Sequence, residues 1–203
     1  MRSARVTSGF APRRRLCSIA TLLAGAWLLA CLIAPRPASA AGDRIDVLQA
    51  SVDERDDGYY VNAEFDFELK PRMAEALDRG LALFFAVELE LTRSRWYWFD
   101  EKTAHPTLSY RLSYHALTRQ YRVSTGTLQL GFPTLSEALG VMAHVRNWKV
   151  ADRGILKAGD TYQAAIRMRL DTSQLPKPFQ INALTSREWT LESDWKRFIV
   201  EAR

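Results

Sequence analysis

Carboxylates spaced two residues apart carry the most evident chemical potential in this chain. Glu64, Asp66 and Glu68 form one run, and Glu88 with Glu90 forms another. In an extended strand a two-residue step returns to the same face, so each run presents its acids side by side. Crowded carboxylates raise one another's proton affinity, the condition that acid–base catalysis of glycoside hydrolysis exploits. The competing reading is a solvated strand face whose acids pair across strands with Arg111, Arg167 or Arg169, and such cross-strand pairs are common; we favour it. Three histidines, His105, His115 and His144, show no i, i+2 or i, i+4 pair, so no local metal-ligand motif exists. G-x-S-x-G, H-E-x-x-H and Gly-rich phosphate loops are absent. No catalytic residue, metal ligand or cofactor is expected.

Trp96, Tyr97, Trp98 and Phe99 stand four in a row. On a strand, alternation sends two to each face. One pair can join a core, leaving the other for a partner, a ligand or a covering loop. These four are the candidate interaction surface. Beside the strand carboxylates they would also wall a carbohydrate cleft; burial on both faces is the plainer alternative.

Strands must position all of these groups, because period-two alternation dominates beyond residue 43. Tyr59, Val61, Ala63, Phe65, Phe67 and Leu69 share one face, and polar residues share the other, the mark of a half-buried strand. Asp56-Asp57-Gly58 turns into it from a strand over 45–52. The stretch 81–92 begins apolar on both faces and should run through the centre of a sheet. Further strands are expected at 96–99, 107–115, 120–127, 161–171 and 194–201. Pro71 and Gly80 bracket a helix at 71–79. Thr134 and Glu137 form a capping box that opens a second helix at 135–147. Its stripe is Leu135, Ala138, Leu139, Met142 and Val145. Residues 175–179, with Pro176 and Pro178, read as extended or turning. The expected fold is mainly β: an antiparallel β-sandwich, immunoglobulin-like or half-barrel, with two helix insertions near 71–79 and 135–147.

The first forty residues read as an address. Arg13-Arg14-Arg15 leads an apolar run over 16–34 that ends at the small-x-small site Ala38-Ser39-Ala40, the layout of a secretory signal peptide. Cleavage after Ala40 leaves a single β-rich domain over 41–203, exported to the periplasm through the Sec route. The alternative is an inner-membrane anchor, since 16–34 is long enough to span a bilayer. Both cysteines, Cys17 and Cys31, fall in this segment, as do six of the 28 basic residues and none of the 23 acids. Beyond residue 40 there are 22 bases against 23 acids. The net charge of +5 therefore belongs to the full chain, and the basic footprint that nucleic-acid binding requires is missing.

The stretch from Leu175-Pro176-Lys177-Pro178-Phe179 through Asn182, Trp189 and Asp194-Trp195 resembles the closing segment of a proteobacterial exported family, domain of unknown function 4390. The likeness continues upstream through Trp96-Tyr97-Trp98 and Tyr110-Arg111-Leu112-Ser113-Tyr114 to about Ile45. The resemblance implies a signal-bearing bacterial protein whose gene often lies beside a nitrogen-regulation-type sensor kinase; it implies no activity and no catalytic residue. Pro176, Pro178, Asn182, Trp189 and Trp195 are read as a structural clasp. Stiff prolines, a turn-forming asparagine and two pinning indoles would close the fold. The expected function is a non-catalytic binding or interaction module of the cell envelope. Its partner would be an envelope or membrane protein, a sensor kinase among the candidates. A carbohydrate-active hydrolase using the strand carboxylates is one alternative. A lipid or hydrophobic-ligand carrier, with its cavity between the sheet and the 135–147 helix, is the other.

Overall fold

The structure is a computed structural model and describes residues 44–93 and 101–202. The aromatic run Trp96, Tyr97, Trp98 and Phe99, the cleavage residues Ala38 and Ala40, and the apolar run 16–34 lie outside the described residues.

Two antiparallel sheets form. The smaller has the order β1 (Asp46–Arg55), β2 (Gly58–Asp66), β8 (His144–Asp152). The larger has the order β10 (Lys196–Glu201), β9 (Thr161–Leu170), β3 (Leu83–Arg93), β5 (Thr107–His115), β6 (Gln120–Thr125), β7 (Leu128–Phe132), with β4 (Glu101–Ala104) also on β3. Alternation in β2 buries Tyr59, Val61, Ala63 and Phe65. Leu83, Phe85, Val87, Leu89 and Leu91 of β3 and Tyr162, Ala164, Ile166, Met168 and Leu170 of β9 bury the facing side. All belong to one hydrophobic cluster, so the sheets pack as a sandwich. The central position expected for residues 81–92 is observed, with β3 between β5 and β9.

Helix α1 (Pro71–Asp78) begins at its proline and buries Met73 and Leu77. It ends in a Schellman motif: Gly80 N–H donates to Leu77 O at 2.9 Å and Leu81 N–H to Ala76 O at 3.0 Å, with Gly80 at φ +94°. Helix α2 (Leu135–Ala143) is capped by Thr134, whose Oγ1 accepts from Glu137 N–H at 3.3 Å and donates to Glu137 Oε1 at 2.8 Å. The return half of the expected box thus lands on the cap's hydroxyl rather than its backbone. This helix touches β2 and β8 of one sheet and β6 and β7 of the other, filling the gap between them.

Three local expectations are corrected. The helix expected to reach residue 147 stops at Ala143, and β8 follows at once. Asn147, at φ +52°, sits in a bulge where pairing jumps from Val61–Trp148 to Ala63–Val145. Buried Val145, the second residue of β8, falls three residues after Met142 and so prolongs the helical stripe of Leu135, Ala138, Leu139 and Met142 past the helix's end. Residues 177–185, expected to start extended, form helix α3 (Lys177–Thr185). Pro176 caps it and Pro178 lies in its first turn, where a missing N–H leaves no bond unmade. The strand expected over 120–127 ends at Thr125 as β6, and the turn Gly126-Thr127, with Gly126 at φ +53°, leads into β7, a strand that was not expected, as in a two-residue Gly-X hairpin.

Candidate functional site

The two acid runs lie on the solvent faces of different sheets, Glu64 and Asp66 on β2 and Glu88 and Glu90 on β3. They do not converge on a common substrate. Glu88 is held from both sides: Arg167 Nε donates to Oε2 at 2.7 Å and Arg169 Nε to Oε1 at 2.8 Å. Burial pushes its carboxyl up, but the bonds and charges of Arg169 and Arg167 outweigh burial and bring it below the ordinary carboxylate range. The group is locked as an ionised tie between β3 and β9. Tyr121 is shifted more strongly. Its hydroxyl donates to Asp78 at 2.8 Å, joining β6 to α1, and that bond pushes the phenol up to about 12. Both perturbations serve structure rather than proton transfer.

The remaining catalytic candidates are also engaged. His115 is folded into its turn by Thr118, and His105 lies 3.8 Å from Glu90. His144 Nδ1 lies 2.7 Å from Gly140 O, and Nε2 lies 3.3 Å from Glu64 Oε1. The chain also contains one Ser-x-x-Lys spacing, Ser193 to Lys196. Buried Ser193 accepts from Met168 N–H at 3.0 Å, and Lys196 Nζ donates to the carbonyls of Val47 and Leu48 at 3.1 and 2.6 Å. Among the described residues no group of three or more His, Asp, Glu or Cys side chains gathers as a metal set.

The clasp residues do not gather at one point. Pro176 and Pro178 open α3, and Asn182 O accepts from Ser186 N–H at 2.9 Å to close it. Trp189 is buried and meets Phe179 edge-on, ring centres 5.3 Å apart. Trp195 lies elsewhere, under the Arg167 guanidinium at 4.5 Å, where a cation–π contact steadies the Glu88 tie. Between α1 and α3 a cleft of about 380 Å³ is lined by Phe179, Asn182, Trp189 and both Arg72 and Arg79. Its arginines are already paired, Arg72 with Glu188 at 2.9 Å and Arg79 with Glu75 at 2.6 Å.

An open groove of about 680 Å³ lies where the end of β2 meets α2. Several local features converge there. Pairing of β1 with β2 skips between Val47 and Gln49, which leaves Leu48 as the bulged residue, 53% exposed, on the groove wall. Bulges re-aim side chains in this way, and Lys196 holds this one by its carbonyls. Leu69, Leu135 and Ala143 add half-buried apolar surface. Glu64, Asp66 and Glu68 supply the rim, and among the described residues no lysine or arginine lines the groove. The carboxylates of Asp66 and Glu68 make no hydrogen bond or ion pair among the described residues. Asp66 stands directly across from Asp46 in the strand pairing, a like-charge juxtaposition that costs stability. Residue spacing exposed the acids and the helix, but Leu48 was hidden inside a regular strand pattern.

The family model described as Domain of unknown function (DUF4390) matches residues 42–199, a span that takes in the groove and the clasp. No curated protein and no solved structure shows significant similarity to the chain.

Proposed function

This chain belongs to the DUF4390 family, and from that footing we propose that it is a non-catalytic binding module of the cell envelope, exported by its first forty residues, with the β2–α2 groove as its binding surface. One observation carries the proposal: an open, apolar-walled groove bears two carboxylates, Asp66 and Glu68, that have no partner among the described residues, while Glu88, the acid on the other sheet, is tied by Arg167 and Arg169. An open groove suits a segment of a partner protein laid along it; a carrier of free lipid would enclose most of its ligand. Export is supported by the basic, apolar and small-x-small order of residues 13–40, and by the confinement of cysteine to that segment.

Site-specific photo-crosslinking in cells tests the binding surface. A crosslinker at Leu48 should give a discrete adduct, whereas crosslinkers at Leu117 and Ile181, exposed apolar positions outside the groove, should not. Equal adducts from all three positions, or none from Leu48, would remove the groove as the surface.

A further inference from the structure

We infer that the groove selects a cationic amphipathic segment of a partner protein, one that presents lysine or arginine beside apolar side chains. The inference rests on the groove's being the binding surface and adds the chemistry of its occupant. Two properties of the site define that chemistry. The wall offered by Leu48, Leu69 and Leu135 is apolar and open, so an occupant gains by covering it. The rim is of one sign: Glu64, Asp66 and Glu68 stand on successive same-side positions, and Asp46 faces Asp66 from β1. Among the described residues Glu64 and Asp46 have partners, His144 at 3.3 Å and Arg44 at 3.2 Å, and Asp66 and Glu68 have none. A basic side chain would therefore find two carboxylates without a partner among the described residues. Residues 41–203 are close to neutral overall, so this concentration of acid is local. Such a rim raises encounter rates with basic partners and repels acidic ones. It also disfavours an anionic lipid surface, which basic patches attract.

The test is an NMR titration of the protein as isolated from the cell. The probes are a synthetic leucine–lysine amphipathic peptide, its leucine–glutamate counterpart, and phosphatidylglycerol vesicles. The lysine peptide should shift the Leu48 and Leu135 resonances and bind at least about tenfold more tightly than the glutamate peptide. The double variant Asp66→Asn, Glu68→Gln should lose about tenfold in affinity for it, as should raised salt. These carboxylates are solvent-exposed, so the variant keeps the fold. Equal binding of both peptides at Leu48 would overturn the cationic preference and leave the groove as a binding surface. Vesicles perturbing the groove where neither peptide does would also overturn it and point to lipid. Silence at Leu48 and Leu135 with every probe would overturn the occupant and the binding surface together.

Discussion

Glu88 shows how a residue with catalytic looks is taken out of catalysis. Two guanidinium groups hold its oxygens, and Trp195 lies beneath one of them. With Glu88 only 19% exposed, neutralising it strands two cations at a partly buried site. Glu88→Gln should lower unfolding free energy by roughly 1–3 kcal/mol near neutral pH. The pH dependence follows from the sign of the shift. The folded carboxyl titrates below its unfolded value. Its stabilisation is therefore complete above the unfolded value and drains away as pH falls through the folded one. Urea melts of wild type and variant should converge as pH falls through the folded carboxyl's lowered value; a gap unchanged from neutral to acid would contradict the tie. This residue's role was legible in the sequence, since Arg167 and Arg169 share one face of β9, the strand that pairs directly with β3. Leu48 was not, because a bulge leaves no trace in composition and shows only when two strands are laid in register.

Elements whose signal is local came through the sequence intact: β2 by alternation, α1 by Pro71 and Gly80, and α2's start by Thr134. Those that depend on a break in periodicity did not. Val145, three residues after Met142, made the start of β8 look like a continuing helix, and α3 has no apolar stripe because most of it faces solvent. Glycines at two element ends separate backbone freedom from close approach. Gly80 caps α1 at φ +94° with nothing near its missing Cβ, whereas Gly58 opens β2 at φ +152° with Ala151 O of β8 only 2.3 Å from where a Cβ would stand. Gly80→Ala should cost about 1 kcal/mol, the strain of a left-handed residue. Gly58→Ala should cost more, roughly 2–4 kcal/mol, because the β2–β8 pairing must also shift. Chemical denaturation of both variants checks the difference, and equal losses would mean that the hairpin and β8 do not approach so closely.

At the scale of the molecule, charge and compartment are bound together. The same forty residues hold the excess arginines and all the cysteine, so the proposed cleavage after Ala40 would leave a near-neutral, cysteine-free domain dependent on its core. N-terminal sequencing of the exported protein should begin at Ala41; a start at Met1 would mean the segment is retained. The joining of the chain's beginning to its end has a further effect. Ile45 N–H donates to Glu192 O at 3.2 Å, and Lys196 grips the Val47 and Leu48 carbonyls. Synthesis supplies β1 first and β10 last. Contacts this distant in sequence form late and slowly, so the hold of Lys196 on the Leu48 carbonyl should form after β1 and β2 have paired, and the groove wall that Leu48 makes should set late in folding.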